Sequence, residues 1–271
     1  TISLHDALPI FSVSGQIRDF GFDEWETIKS STSGSTEQYD VPKGLYGTSN
    51  PGIMTINEMF GSNLPELFSY TVSPVEGQSG KAAKLQTVYT YMFLNGMDFN
   101  ALLGGLVPYV TAGSLFTGIF KTDMNNTLNS TKFGVPFVGE PATFTGYYKY
   151  TPGTTYYNNK NEVVADKTDE CSIYAVLYEE LLDEENNNIP LNGDYNDPDL
   201  YIGSSKRIVM KAVLEDGTAK SDWTKFSIPF KLLEGKSYDA TKKYYLAIVC
   251  SSSAEGDYFM GDRKSTRLNS S

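Results

Sequence analysis

Short segments in which apolar and polar residues alternate fill most of the chain after Phe68, and clusters of Gly, Pro, Asn and Asp separate them. Alternation with a period of two places successive side chains on opposite faces of a strand. In the segment 143–150, Phe144, Tyr148 and Tyr150 share one face, and in 171–178 both faces are apolar or aromatic. Strands covered on both faces are typical of two packed sheets, so the pattern predicts an all-β chain that forms a jelly-roll β-sandwich.

Both ends of the sequence resemble translated sequencing adapters. Residues 3–10 read SLHDALPI and residues 262–271 read DRKSTRLNSS, and a common pair of short-read adapters encodes these two strings. We therefore interpret residues 1–10 and 262–271 as artefacts and residues 11–261 as one domain. The only histidine, His5, lies in the first artefact, so we expect no Ser-His-Asp triad, Cys-His pair or histidine zinc site.

The charge and the apolar runs exclude two classes of partner. With 33 acidic against 22 basic residues the formal charge is −11, and no basic cluster is present that could neutralise a phosphate backbone. The longest apolar runs are far shorter than the ~20 residues of a membrane span. The sequence therefore predicts neither nucleic-acid binding nor a transmembrane segment.

The two cysteines and one acidic segment each allow two interpretations. Cys171 and Cys250 lie on apolar strand faces, which favours two buried free thiols over a disulfide. The segment 182–199 contains closely spaced Asp194, Asn196 and Asp197, but it lacks the glycine and distal glutamate of an EF-hand loop. We therefore expect a solvated surface loop there rather than a cation site.

The high content of aromatic residues is more informative about function than the cysteines or the acidic segment. Tyrosines crowd residues 147–157, and Trp25 and Trp223 lie elsewhere. Flat rings next to hydrogen-bonding groups suit sugars, whose C–H faces are apolar and whose rims carry hydroxyl groups. Tyrosine is also common in sheets as a packing residue, so a structural role for most of these rings remains an alternative.

Seven motifs occur in an order that resembles the putative carbohydrate metabolism domain of Bacteroidetes surface proteins. They are FDEW at 22–25, YGTSN at 46–50, SGKAAKLQT at 79–87, AGSLFTG at 112–118, GYYKY at 146–150, CSIYAVLY at 171–178 and SSSAEGDYF at 251–259. The resemblance implies a jelly roll similar to carbohydrate-binding modules and galactose-binding-like domains. It also implies an extracellular or periplasmic location, at the outer-membrane surface and on a lipoprotein, and a final strand after Met260 where the adapter-like residues follow.

The ligand prediction combines the aromatic strand with neighbouring polar residues. We expect Tyr148 and Tyr150, flanked by Glu140, Tyr46 and Asn50, to line a groove that binds polysaccharide or oligosaccharide. Packing of the two rings inside the sandwich is the alternative.

The metal prediction comes from the resemblance alone. Sugar-binding jelly rolls of this type often hold a structural calcium ion between the first and last strands, which implies Asp23 or Glu24 and the turn at Gly80 as ligands here. Because Ca²⁺ takes six to eight oxygens and the implied final strand is replaced, we expect this site to be weak or unfilled. A solvated position for the two carboxylates is the alternative.

Three functions fit the sequence. The leading hypothesis is a non-catalytic glycan-binding module of an exported surface protein, since no residue set demands a reaction. The first alternative is a glycoside hydrolase or lyase with two carboxylates, for which Glu140 and Asp169 are candidates. The second alternative is a structural or adhesive surface domain without a small ligand.

Overall fold

The predicted strands are present in the computed structural model of the protein, which describes residues 1–10, 20–64, 66–104, 106–158 and 161–255. The helices are α1 (Asn50–Phe60) and α2 (Phe99–Leu102), and short 3₁₀ turns span Gly61–Asn63 and Thr127–Ser130. The strands are β1 (Ile2–Ile10), β2 (Trp25–Lys29), β3 (Gln38–Pro42), β4 (Tyr46–Thr48), β5 (Val72–Glu76), β6 (Lys81–Leu85), β7 (Val88–Tyr89), β8 (Phe93–Leu94), β9 (Met97–Asp98), β10 (Val110–Thr111), β11 (Ser114–Phe120), β12 (Thr131–Phe133), β13 (Val135–Phe137), β14 (Thr143–Tyr150), β15 (Ser172–Glu179), β16 (Ile208–Val213), β17 (Lys220–Pro229), β18 (Lys231–Leu232) and β19 (Tyr244–Ser251). Among the described residues, no helix has the length and apolar character that a membrane crossing requires.

Two antiparallel sheets form the sandwich. The five-stranded sheet has the order β17-β14-β1-β6-β5. The eight-stranded sheet has the order β12-β11-β19-β15-β16-β18, with β13 also paired to β19 and β4 to β11. The predicted all-β sandwich is confirmed.

The main core lies between the inner faces of these two sheets. Phe144, Tyr148 and Phe226 project into it from the five-stranded sheet, and Leu177 and Ile248 project from the eight-stranded sheet. Each fully buried Leu, Ile or Phe contributes about 1.5–3 kcal/mol relative to an exposed position. The core therefore holds the two sheets face to face.

Both cysteines lie in this core. Cys171 and Cys250 are buried free thiols, and burial raises the pKa of the Cys171 thiol to about 12. The prediction of two thiols that pack as small apolar side chains is confirmed.

The outer face of the eight-stranded sheet carries a second apolar cluster. Val176 and Tyr178 of β15 belong to it, together with Leu191 and Ile202 from the loop that precedes β16. The expectation of a solvated surface loop is therefore wrong for its second half, where Asp194 is also buried. The apolar Leu191 and Ile202 side chains anchor that half against the sheet, as the hydrophobic effect requires.

Nine of the residues set aside as adapter-encoded form strand β1 (Ile2–Ile10) in the structure. Ile2 aligns with Tyr150 of β14 and with Leu85 of β6, so β1 lies between these two strands. The interpretation of their origin stays a prediction. Residues 262–271 and the implied strand after Met260 lie outside the described residues.

Asn50, at the start of α1, connects the helix to strands β3 and β5. Its Oδ1 accepts hydrogen bonds from the Val72 amide at 2.9 Å and from the Thr71 amide at 3.0 Å. Its Nδ2 donates to the carbonyl oxygens of Val72 at 2.8 Å and Asp40 at 3.2 Å. The side chain is 0% exposed, so its role is structural, and its predicted place in a sugar site is wrong.

We expect Asn50→Ala to lower the free energy of unfolding by about 2–4 kcal/mol, because it leaves several buried backbone donors and acceptors unpaired. Urea denaturation followed by circular dichroism measures the change. The exposed Asn187→Ala is the matched control and should shift the free energy by less than about 0.5 kcal/mol. Equal effects of the two substitutions would contradict the structural role of Asn50.

Candidate functional site

A cleft of about 530 Å³ lies on the outer face of the eight-stranded sheet. Helix α1 forms one wall, the segment 106–112 forms another, and the loops around 122–131 and 193–203 complete it. Volumes of roughly 300–1,000 Å³ are typical of small-molecule sites. The cleft is therefore large enough to hold a small ligand.

The lining combines apolar rings with hydroxyl groups. The apolar part includes Ile56, Phe60, Phe120, Tyr174 and Val249, and the hydroxyl part includes Ser49, Thr55, Thr111, Ser130, Thr131 and Ser172. Among the described lining residues, the only charged side chain is Lys211. The lining thus offers stacking surfaces and hydrogen-bond partners but no carboxylate.

Lys211 projects from β16 into the cleft wall. Its Nζ donates to the carbonyl oxygen of Gly203 at 3.2 Å, and burial lowers the pKa of its ammonium group. A partly desolvated ammonium with donors to spare favours an oxygen-rich ligand. Lys211 is therefore a candidate to orient such a ligand.

Thr131 also belongs to the cleft lining. Its Oγ1 is buried and has no hydrogen-bond partner among the described residues. The wall that carries it depends on Gly118, which adopts a φ of +133° where a Cβ would collide with the Lys132 carbonyl oxygen. A buried hydroxyl without a partner is costly, and because the Oγ1 is closed off from the cleft, Thr131 forms part of the wall there.

The structure does not support the predicted aromatic sugar platform. Tyr148 and Tyr150 are each 2% exposed and belong to the core between the sheets. The Tyr148 hydroxyl donates to the Asp216 carbonyl oxygen at 2.9 Å, and burial raises its pKa to about 12. The prediction of exposed rings is wrong because alternation assigns the two tyrosines to one face without showing that this face is the inner one.

The remaining predicted ligand residues do not meet either. Tyr46 is half-buried, contacts the Phe22 ring at 5.3 Å and donates its hydroxyl to the Phe20 carbonyl. Glu140 lies near Tyr238 and raises the pKa of that phenol in addition to the effect of burial. Tyr46, Glu140 and Asn50 are all absent from the described cleft lining.

Asp23 lies at the Gly80 turn, as the calcium hypothesis requires. Its Oδ1 accepts the Lys81 amide at 3.2 Å. Glu24 instead pairs with Lys43 at 3.1 Å, and the described residues contain no group of three or more potential metal-ligating Asp, Glu, His or Cys side chains. One carboxylate that already accepts an N–H bond falls short of the ligand set that Ca²⁺ takes, so calcium binding stays a prediction.

Two carboxylates lie near the end of the cleft where β15 and β19 pair through Ser172 and Ser251, close enough to interact electrostatically. Glu255 accepts hydrogen bonds from the Tyr156 hydroxyl at 2.5 Å and from Lys167 Nζ at 2.6 Å. Asp169 is held by the Glu170 amide at 2.9 Å. We call Asp169 and Glu255 the acidic pair.

The environment separates the pKa values of the acidic pair. Burial raises the pKa of Asp169, and the charge of Glu255 raises it further. Burial also opposes the ionisation of Glu255, but the hydrogen bonds from Lys167 and Tyr156 outweigh it and lower the pKa of that carboxyl. Carboxylates with opposite shifts are a pattern of acid–base sites.

The pair named from sequence, Glu140 and Asp169, lies at opposite ends of β19. Glu140 interacts electrostatically with Tyr238, whose ring stacks on Tyr244 at the start of β19 with centroids 5.0 Å apart. Asp169 lies at the other end, because the carbonyl of its neighbour Glu170 accepts the Ala254 amide just after β19. The seven steps from Tyr244 to Ser251 span about 23 Å at roughly 3.3 Å per residue. Glycosidase carboxylates lie about 5–9.5 Å apart, so this choice of pair is wrong.

Sequence reasoning missed the cleft residues and Glu255. The two-faced character of 171–178 was the available signal, because it places Tyr174 on a face that is either covered or functional. Asp169 and Glu255 are separated by 85 intervening residues, so no local sequence pattern would pair them.

Comparisons with known proteins agree with this architecture. The model of a family described as putative carbohydrate metabolism domain matches residues 21–268. The curated proteins give no match. A solved structure described as a putative glycoside hydrolase from Bacteroides thetaiotaomicron VPI-5482 is 27% identical with a TM-score of 0.63, and the similarity covers 96% of this chain and 66% of that chain. A second, described as a putative glycoside hydrolase from Bacteroides vulgatus ATCC 8482, is 25% identical with a TM-score of 0.63, over 89% and 91% of the two chains.

The shifted pKa of Asp169 predicts a pH-dependent effect of Asp169→Asn on stability. Because the folded state raises this pKa above 3.8, ionised Asp169 costs stability at neutral pH, and the cost disappears as the pH falls below the unfolded value. We expect Asp169→Asn to raise the urea midpoint at pH 7 and to raise it less at pH 4. The exposed Asp222→Asn makes the same charge change and should show no such pH dependence. An equal gain for Asp169→Asn at both pH values would contradict the assignment.

Proposed function

The chain belongs to the putative carbohydrate metabolism domain family, and on that premise we propose that it binds a carbohydrate in the cleft without cleaving it there. The observation that carries the proposal is the lining, which presents rings and hydroxyl groups and, among its described residues, no carboxylate. Glycoside hydrolysis by the usual mechanism needs two carboxylates on either side of the bond.

The chemistry of the lining matches that of a sugar. The rings of Tyr174 and Phe120 offer apolar faces to the C–H face of a pyranose. Lys211 and the hydroxyl groups of the lining offer hydrogen bonds to its rim. Without an anionic group in the described lining, the cleft suits a neutral or weakly acidic sugar.

The proposal includes an exported location. Polysaccharides are encountered outside the cytoplasm, so a glycan-binding domain of this kind fits an extracellular or periplasmic surface protein, including a lipoprotein. Cell fractionation and protease accessibility of the intact source cells test this part, and a cytoplasmic protein would overturn it.

Substitutions in the cleft should reduce affinity for oligosaccharides. A glycan array first identifies the bound sugar, and isothermal titration calorimetry then compares variants. We expect Val213→Trp, which places an indole in the cleft from an exposed position, to reduce affinity at least about tenfold. Tyr174→Ala should reduce it by roughly two- to tenfold through the loss of ring contact.

Tyr147→Ala is the matched control, since Tyr147 lies on the face of β14 opposite the buried Tyr148 and outside the described cleft lining. It should leave affinity within about twofold. Unchanged binding by both cleft variants would overturn the assignment of the cleft, and an array without any bound glycan would overturn glycan binding itself.

Glycoside hydrolysis is a second candidate, favoured by the opposite pKa shifts of the acidic pair. In this proposal Asp169, with the raised pKa, donates a proton to the leaving oxygen, and ionised Glu255 acts as base or nucleophile. The descriptions of the two similar structures as putative glycoside hydrolases support the same candidate.

Release of reducing sugar from the glycan that the array identifies separates the two candidates. Hydrolysis predicts release that falls at least about 100-fold in both Asp169→Asn and Glu255→Gln while binding persists. Binding without release supports the first candidate and overturns the second. Neither binding nor release would instead indicate a structural or adhesive domain.

A further inference from the structure

A row of neighbouring aromatic rings, two of them exposed and three partly buried, lies outside the cleft lining. It consists of Phe93, Tyr91, Tyr89 and Tyr157, with Tyr109 beside Tyr91, and we call it the aromatic row. We propose that the aromatic row binds a neutral polysaccharide chain, as a second carbohydrate surface that does not depend on a ligand in the cleft.

Side chains of residues 89–94 alternate between buried even positions and exposed or, at Tyr91, partly exposed odd positions. Thr90, Met92 and Leu94 are buried, whereas Tyr89 is 45% and Phe93 is 61% exposed. Period-two alternation therefore holds every second ring on the surface. The buried side chains anchor the segment from below.

Buried Asn100 fixes this segment further. Its Oδ1 accepts the Met92 amide at 2.6 Å, and its Nδ2 donates to the Thr90 carbonyl at 3.0 Å and to the Pro108 carbonyl at 3.1 Å. The Thr90 hydroxyl also donates to the Pro108 carbonyl at 2.7 Å. The row is thus presented by a hydrogen-bonded backbone, which reduces the entropy lost when a ligand binds.

The rings follow one another at short intervals. Tyr157 and Tyr89 are 5.3 Å apart between centroids with planes inclined by 29°, and Tyr91 and Phe93 are 6.3 Å apart with planes inclined by 30°. Tyr89 and Tyr91, at 5.8 Å and 46°, connect the two pairs. Tyr109 lies 5.6 Å from Tyr91. A continuous aromatic surface of this kind suits a ligand that is itself extended and repetitive.

Polar groups at the rim hold the rings in place. The Tyr89 hydroxyl donates to Asn161 Oδ1 at 2.9 Å, and the Tyr109 hydroxyl donates to Asp98 Oδ2 at 3.0 Å. Asp98 in turn accepts the Ala101 amide at 2.9 Å through its other oxygen. Apolar ring faces bordered by an amide and a carboxylate match the alternation of C–H faces and hydroxyl rims along a polysaccharide.

Charge narrows the choice of polymer. The carboxylate of Asp98 beside the row and the net charge of −11 for the chain disfavour a polyanion through repulsion.

The row also continues toward the cleft, because Tyr89 pairs with Val110 across β7 and β10 and Val110 lines the cleft. A neutral chain could therefore extend beyond a sugar in the cleft, although each surface binds on its own.

The test is a binding isotherm of the whole chain on insoluble cellulose and on xylan, starch and chitin, with heparin as the polyanion. We expect at least one neutral polymer to retain the protein and heparin to retain it much less. The double variant Tyr89→Ala, Phe93→Ala should weaken retention at least about tenfold, since each ring contact accounts for roughly two- to tenfold. Tyr89→Phe keeps the ring and should stay within about twofold of the parent.

Two controls separate this proposal from the cleft. Val213→Trp should leave retention on the polymer unchanged even if it abolishes binding of short oligosaccharides, and the double variant should show the reverse. Near-ultraviolet circular dichroism confirms that both variants are folded. Full retention of the double variant overturns the proposal, and so does failure of every neutral polymer to retain the parent. The proposal is also overturned if the double variant loses self-association while its retention on the polymer is unchanged.

Discussion

The burial of β15 and β19 on both faces is the constraint on which the rest of the structure depends. The two strands pair along their whole length, with Ala175 opposite Ile248 and Val176 opposite Ala247. One set of these side chains packs against the five-stranded sheet, and the other set belongs to the cluster on the outer face. Because that outer face is apolar, water must be excluded from it, and the loop around Leu191 and Ile202 accounts for much of the covering. The cleft lies where α1 and these loops leave part of the face open.

In this arrangement the cleft and the acidic pair differ in the chemical groups that they supply. The cleft supplies rings, hydroxyl groups and one ammonium in its described lining. The carboxylates with opposite pKa shifts, Asp169 and Glu255, lie beyond its end. Glu255 is held by Lys167 and Tyr156, and Asp169 is held by the Glu170 amide. The groups suited to binding and those suited to proton transfer are thus different residues, which makes the two candidate functions testable separately.

The aromatic row is likewise built on a segment with one buried side and one exposed side. Asn100 satisfies the backbone of an extended segment from the inside, and Tyr89 and Phe93 remain on the outside. A comparable hydrogen-bond hub at Asn50 ties α1 to β5, yet it serves only the fold. A buried asparagine thus stabilises only the fold at position 50, whereas at position 100 it also supports a candidate binding surface. The difference is that the segment next to Asn100 exposes aromatic rings.

The sequence by itself determined the fold class, the grouping of side chains on each strand and the burial of the two thiols, because alternation and composition act locally. Alternation correctly predicted that Tyr148 and Tyr150 share one face of β14. The family resemblance correctly predicted that Asp23 lies at the Gly80 turn. Only the tertiary structure decided that this face of β14 is the inner one, that Glu140 and Asp169 lie at opposite ends of β19, and that Glu255 meets Lys167. A period of two is symmetric between the faces of a strand, and contacts between residues far apart in the chain arise from sheet packing, which no local pattern encodes.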